Sequence, residues 1–213
     1  AAKKLAGALG SSLLEGRQTG MDYDTSNMAA LAFNSTFSGI ETADAILIVG
    51  ANLRTEAPLV NVRLRKAAKR GAKVFIVGPE WETTFGGEFL GTDLSLLNDL
   101  PAHVAEALTK SERPALIIGG AGYAKGALPA CLAIADQFKL VRDGWNGFNG
   151  LHLAAARMGG LMLGYAQPGG LADLVKVQPK VLISLGADEV DYTKFANSVI
   201  VYIGHHGDKG AHA

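Results

Sequence analysis

Ala45-Ile46-Leu47-Ile48-Val49-Gly50-Ala51-Asn52 sets five uninterrupted aliphatic residues against a glycine. An unbroken run of that length, closed by a turn residue, is the pattern of a strand buried on both faces, as in a parallel sheet covered by helices. Four more runs repeat it: Lys73 to Val77 before Gly78, Ala115 to Ile118 before Gly119, Lys180 to Leu185 before Gly186, and Ser198 to Ile203 before Gly204. An amphipathic stretch follows the opening run, from Glu56 to Arg70. Val60, Leu64, Ala67 and Ala68 share one of its faces, and Arg63, Lys66 and Arg70 share another. Pro58 in the first turn and Gly71 past the end punctuate it as a helix. Its basic face reads as solvated, or as a surface for an acidic neighbour in a complex.

Further helices are expected over Ser95 to Lys110, Ala124 to Gln137 and Gly150 to Leu163. Strand and helix in alternation predict an α/β protein of mostly parallel sheets, with right-handed crossovers and helices on both faces. Lys110-Ser111-Glu112-Arg113-Pro114 has the composition of a linker. The expectation is therefore two Rossmann-like lobes, residues 1–111 and 112–213, the second incomplete. The start at Ala1-Ala2-Lys3-Lys4 without Met, and the abrupt end at His212-Ala213, add the expectation of a segment from a longer chain.

Composition narrows the function. Hydrophobic residues make up 48% of the 213 and charged residues 19%, which excludes disorder. Twenty basic residues balance twenty acidic ones, so no net field draws the chain to nucleic acid or anionic lipid. The longest apolar stretches, Ala115 to Ala124 and Leu151 to Ala166, are too short or too charged for a membrane span. Cys131, the single cysteine, can form no internal disulfide and cannot by itself hold an iron–sulfur cluster; set in the apolar run Leu128 to Ile134, it reads as a small core residue.

In an open parallel sheet, ligands sit outside the carboxyl ends of the strands, so chemistry belongs in the loops that follow them. These are Gly50-Ala51-Asn52-Leu53, Gly78-Pro79-Glu80, Gly119-Gly120-Ala121-Gly122, Gly186-Ala187-Asp188-Glu189 and Gly204-His205-His206-Gly207-Asp208. Their glycines either let backbone amides approach a phosphate or only make a tight turn. Sharper motifs are missing. Gly120 and Gly122 are followed by Gly126, one residue out of step with a dinucleotide fingerprint, and there is no P-loop and no nucleophile elbow. His205, His206, His212 and Asp208 lack the spacing that puts imidazoles on one helix face, so they read as a polar loop and not as a metal site. The residues alone give a nucleotide-type fold without a catalytic constellation.

A family resemblance adds to this. Gly39-Ile40-Glu41-Thr42-Ala43-Asp44 leading into the opening run, then Arg54-Thr55-Glu56-Ala57-Pro58-Leu59 and Arg63-Leu64-Arg65-Lys66-Ala67, form one block. Asp143-Gly144-Trp145-Asn146-Gly147-Phe148-Asn149 with Leu151-His152, and Gly204-His205-His206-Gly207-Asp208-Lys209-Gly210-Ala211, form two more. Together they resemble the largest peripheral-arm, iron–sulfur subunit of respiratory NADH:quinone oxidoreductase, complex I. That subunit's later portion is similar to molybdopterin oxidoreductases such as formate dehydrogenases, in which Rossmann-like domains grip a guanine-dinucleotide pterin.

The resemblance implies a formate dehydrogenase-like fold and maps Gly50, Asn52, Gly78, Gly119, Gly120, Gly122, Gly186 and Asp188 onto vestigial cofactor loops. Two departures argue against a working cofactor. Leu53 stands where the pterin enzymes tend to have Pro, and Glu80 where they tend to have Arg, which replaces a phosphate donor by a repelling charge. The implied role is a cofactor-free scaffold, without an autonomous active site, inside an electron-transport enzyme of the respiratory chain. Its iron–sulfur clusters are expected in an uncovered, Cys-rich N-terminal part, and its partners are other peripheral-arm subunits. Its place is then peripheral, at the cytoplasmic face of a bacterial inner membrane or the mitochondrial matrix face. The alternative implied by the same loops is an active molybdopterin guanine dinucleotide-binding oxidoreductase domain.

Overall fold

The computed structural model describes residues 1–18, 24–205 and 209–212. In chain order the helices are α1 (Ala2–Ala8), α2 (Thr36–Ile40), α3 (Leu53–Glu56), α4 (Pro58–Lys69), α5 (Ala102–Lys110), α6 (Gly120–Ala124), α7 (Leu128–Gln137), α8 (Arg157–Met162) and α9 (Gly170–Val177). The strands are β1 (Ala45–Val49), β2 (Lys73–Val77), β3 (Glu88–Gly91), β4 (Pro114–Ile118), β5 (Val141–Arg142), β6 (Trp145–Asn146), β7 (Phe148–Gly150), β8 (Val181–Leu185) and β9 (Val199–Ile203). Two compact units result, one of Ser26–Ala155 and the other of Ala1–Thr25 with Ala156–Ala213.

The first unit is built on a sheet of order β3-β2-β1-β4-β7 in which every neighbouring pair is parallel. Strands β1 and β4 lie at its middle and are buried along their whole length, as continuous aliphatic runs require. Ile46, Ile48, Ala115 and Ile117 join Leu53, Val60, Leu64 and Ala67 in one core cluster on one side. The alternate residues Leu47, Val49, Leu116 and Ile118 are equally buried on the other. Each such Leu or Ile contributes about 1.5–3 kcal/mol by leaving water. The mixed α/β architecture with parallel strands is the Rossmann-like fold expected.

The expected division at 111/112 does not coincide with these units, because it falls between α5 and β4. Pro114 to Ile118 pairs in register with Ala45 to Val49, which makes β4 a central strand of the first sheet. The segment that looks like a linker is held by Asp44, whose carboxylate accepts from the Ser111 hydroxyl and, at 2.9 and 3.0 Å, from the Glu112 and Arg113 N–H groups. Burial raises the Asp44 pKa, but these hydrogen bonds outweigh it and hold the carboxyl below its ordinary value.

Several expected helices are shorter than their hydrophobic patterns. The Glu56 to Arg70 helix is broken at Ala57, which lies outside the helical region at φ −147° and ψ 68°, because Pro58 disfavours that region for the residue before it. Ser95 to Lys110 becomes a 3-10 turn over Leu94–Asn98 followed by α5, divided at Pro101. Ala124 to Gln137 divides at Gly126, whose φ of +72° ends one helix before α7 begins. Gly150 to Leu163 is helical only over α8, because Gly150 ends strand β7 and Ala156 sits in the left-handed region. The basic face of α4 meets its acidic neighbour within the same unit: Glu41 takes Arg63 at 2.7 Å and Lys66 and Arg70 at 3.6 Å.

Strand β7 depends on the Asp143 to Asn149 block. The Asn149 carboxamide, fully buried, accepts from the Ser35 N–H and donates to the Ser35 hydroxyl, both at 2.9 Å. The Trp145 indole N–H donates to the Pro114 carbonyl at 2.8 Å. At Gly147 a Cβ would lie 2.0 Å from the same carbonyl oxygen, so only glycine lets the segment approach β4. The His152 ring hydrogen-bonds the Leu31 carbonyl and stacks on Tyr123. The contacts of Trp145, Gly147, Asn149 and His152 hold the backbone of this unit together.

In the second unit, β8 and β9 pair in parallel. Ser184 on β8 hydrogen-bonds Tyr192 from the connection between the strands. On the opposite face Val181, Ile183 and Leu185 stand beside Val199, Val201 and Ile203, and all six are exposed. Elsewhere in this unit a fully buried ion pair joins Arg17 to Glu15 at 2.6 Å, and the Gln167 N–H donates to the same carboxylate at 2.9 Å. Among the described residues, no helix is long and apolar enough to cross a membrane.

Candidate functional site at the strand ends

In the first unit the strand order runs outward from β1 one way and from β4 the other, so the switch point lies between these two strands. A ligand of this fold would sit there, against the loops after β1 and β4. The loops are instead packed on one another. Gly50, at φ +56°, is so close to α6 that a Cβ would lie 2.2 Å from the Gly122 nitrogen and 2.5 Å from its Cα. A Cβ at Gly78 would lie 2.9 Å from the Gly50 nitrogen and Cα, and one at Gly119 would lie 2.3 Å from the Ala51 Cβ. These glycines let backbone meet backbone.

The hydrogen bonds account for the amides of the six marked residues, Gly50, Asn52, Gly78, Gly119, Gly120 and Gly122. Gly50 N–H donates to the Val77 carbonyl at 2.8 Å, Gly78 N–H to Gly91 at 2.9 Å, Gly119 N–H to Val49 at 2.9 Å and Gly122 N–H to Gly50 at 3.2 Å. The two that remain, Asn52 N–H and Gly120 N–H, donate to opposite oxygens of one carboxylate. Glu56 Oε1 accepts from Asn52 at 2.9 Å, and Glu56 Oε2 accepts from Gly120 at 3.3 Å. The Asn52 side chain caps α3 by accepting from the Arg54 N–H, and Leu53 is fully buried in the core. Thus Asn52-Leu53, a departure from the pterin pattern, serves a helix start and core packing.

In the second unit Gly186 N–H donates to the Ile203 carbonyl at 2.8 Å, and Asp188 accepts from the Tyr202 hydroxyl at 3.0 Å. Glu80 is exposed. Of the terminal cluster, His206 and Asp208 lie outside the described residues, while His205 and His212 are exposed. No group of three or more His, Cys, Asp or Glu among the described residues could hold a metal ion. Cys131 is fully buried, and burial pushes its thiol up to about 12, which leaves it a protonated core residue at neutral pH.

The structure therefore brings six of the eight marked residues, Gly50, Asn52, Gly78, Gly119, Gly120 and Gly122, to one crevice, while Gly186 and Asp188 belong to the other unit. Glu56 is the member that the sequence pattern presents only as the start of a helix. Its spacing of four from Asn52 is the available signal, close to that of a capping box, and it reports only the contact within the loop. The bond to Gly120, 64 residues away, appears only in three dimensions. A phosphate approaching the Asn52 or Gly120 N–H would meet an amide already bonded to the Glu56 carboxylate.

A family model described as molybdopterin oxidoreductase matches residues 1–213. The chain is 35% identical to an NADH-quinone oxidoreductase subunit of Rickettsia felis, over 98% of its own length and 32% of that protein. It is 37% identical to the mitochondrial NADH-ubiquinone oxidoreductase 78 kDa subunit of Neurospora crassa, over 84% of its length and 25% of the relative. To the mitochondrial NADH dehydrogenase [ubiquinone] iron-sulfur protein 1 of Solanum tuberosum it is 33% identical, over all of its length and 30% of that protein. The chain spans about a third of the length of the curated relatives it matches.

Proposed function

The chain belongs to the molybdopterin oxidoreductase family, and from that premise we propose that it works as a cofactor-free scaffold within the large subunit of an NADH:quinone oxidoreductase. One observation carries the reading: the Gly50, Asn52, Gly78, Gly119, Gly120 and Gly122 amides of the strand-end loops are already used within the chain. A fold that binds a nucleotide keeps such donors free, because an anion held by backbone amides is the whole purpose of the glycine loop. Here the same glycines give close packing, so the fold's contribution is shape and rigidity.

Electron transfer from NADH to quinone is then a property of the assembly. Its iron–sulfur clusters belong to polypeptide outside the matched stretch, and its partners are neighbouring subunits of the peripheral arm, on the cytoplasmic or matrix side of the membrane. The exposed aliphatic face of β8 and β9 supports this placement. A parallel sheet is stable when both faces are covered, and these six side chains are open to water. The cover expected is polypeptide that the relatives possess beyond the matched stretch.

The test is to denature the intact assembly and assay the released material for pterin fluorescence, guanine nucleotide, molybdenum and tungsten, with iron as the control. Iron without the other four is the expected result. Stoichiometric pterin and metal would replace this reading by that of an active pterin-dependent oxidoreductase.

A further inference from the structure

We infer that Glu56 is the residue that denies the switch-point crevice to a phosphate. The inference rests on the cofactor-free reading and deepens it by naming the side chain responsible. Two backbone N–H groups, one from the loop after β1 and one from the loop after β4, converge on a single carboxylate at 2.9 and 3.3 Å. This is the donor arrangement by which glycine loops hold a phosphate, with both oxygens supplied by the chain itself.

Helix capping explains only half of it. Reaching back to the Asn52 N–H is what a residue in the first turn does, and it needs one oxygen. The second oxygen spans to Gly120 at the start of α6, so one half-buried side chain ties two loops across the order reversal of the sheet. Asn52 cannot take this role, because its own side-chain oxygen is committed to the Arg54 N–H. A phosphate entering the crevice would lose both donors to Glu56 and face a like charge within a few ångströms, where the effective dielectric is well below that of water. The Gly50, Gly78, Gly119 and Gly122 N–H groups donate to backbone carbonyls and cannot turn to compensate. Glu56 is therefore a specificity-determining residue that acts by exclusion.

The experiment uses the full-length protein, wild type and two variants, with inorganic phosphate as the probe and chloride at matched ionic strength as the control. In Glu56→Ala the Asn52 and Gly120 N–H groups lose their acceptor. Its Tm is expected to fall, and phosphate at about ten times its dissociation constant should restore about 3 °C or more, while the wild type does not respond. Glu56→Gln fills the same space with one acceptor and one donor. It should melt below the wild type and gain nothing from phosphate, and it serves if the alanine variant does not fold.

An alanine variant that responds to phosphate no more than to chloride would overturn the inference. So would a wild type stabilised as much as the variant, or a glutamine variant that melts with the wild type. Pterin recovered from the parent assembly would instead strike the cofactor-free reading, and the two failures are told apart by which measurement moves.

Discussion

Gly50 and Gly186 have the same backbone angle, φ +56°, at the same place in the chain's grammar, the first residue after a buried-type strand. Their surroundings differ completely. A methyl group at Gly50 would be driven into the backbone of Gly122 at 2.2 Å, whereas nothing among the described residues lies within 4 Å of one at Gly186. The first glycine is required twice, by its φ and by the neighbouring loop; the second is required only by φ. Identical local sequence logic thus serves a closed crevice in one unit and an open strand end in the other, and in the closed one two of the marked amides converge on a carboxylate.

The strongest way to break this contrast is Gly50→Ala. Backbone overlap with no flexible side chain to yield, added to the left-handed strain, should cost about 5 kcal/mol, against about 1 kcal/mol for Gly186→Ala. Urea unfolding of the two variants measures the gap, and equal losses would mean that the crevice is looser than its geometry.

Next in size is Arg17→Ala, which asks whether the second unit has a closed region of its own away from its strand ends. It leaves Glu15 buried without its ion-pair partner, for an expected loss of about 3–4 kcal/mol. A loss under about 1 kcal/mol would show that water reaches the pair.

Acid sharpens the picture of the first unit. The Arg63 hydrogen bond, opposed by burial and helped by the charges of Lys66, Arg63 and Arg70, holds Glu41 below its ordinary 4.5. A carboxyl lowered in the folded state stabilises it fully above the unfolded value, and that contribution disappears as pH falls through the lowered one. Wild type should therefore lose stability below pH 4.5 more steeply than Glu41→Gln, as read by Tm against pH. Parallel curves would remove Glu41 from the account.

The smallest effect is expected at the open face. Val201→Lys replaces an exposed side chain and should change the stability of the chain by less than about 0.5 kcal/mol, yet lower its incorporation into the full assembly. Normal incorporation, judged by co-purification of the assembly's other subunits, would show that this face stays uncovered.

How much of this was legible depended on whether the signal was local. Five strands could be read because each is a short, mostly apolar run, rich in β-branched and aliphatic residues, ended by glycine. Strand β3 is a short edge strand with a register shift against Ile76 and Val77, and β7 is three residues centred on a buried Asn, so neither carries a hydrophobic pattern. The boundary expected at 111/112 does not coincide with the compact units: Lys110 to Pro114 has the composition of a linker, while Asp44, which anchors it, is 67 to 69 residues away. The site divides in the same way. Its glycines announced themselves, but Glu56 acts through a bond across the crevice that no spacing along the chain records.

The in-register pairing of Ala45 with Pro114 also sets a timetable. Strand β2 closes on β1 across 28 residues, whereas β4 must close across 69, and the entropic cost of closure rises slowly with that length. During synthesis at about 5–20 residues per second, β1 waits roughly 3–14 seconds for its second neighbour to be made. Over that interval one edge of β1, aliphatic and unpaired, is open to any other strand. The nascent chain is then most prone to aggregate between the completion of β2 and the arrival of β4, and a chaperone would be needed most in that window.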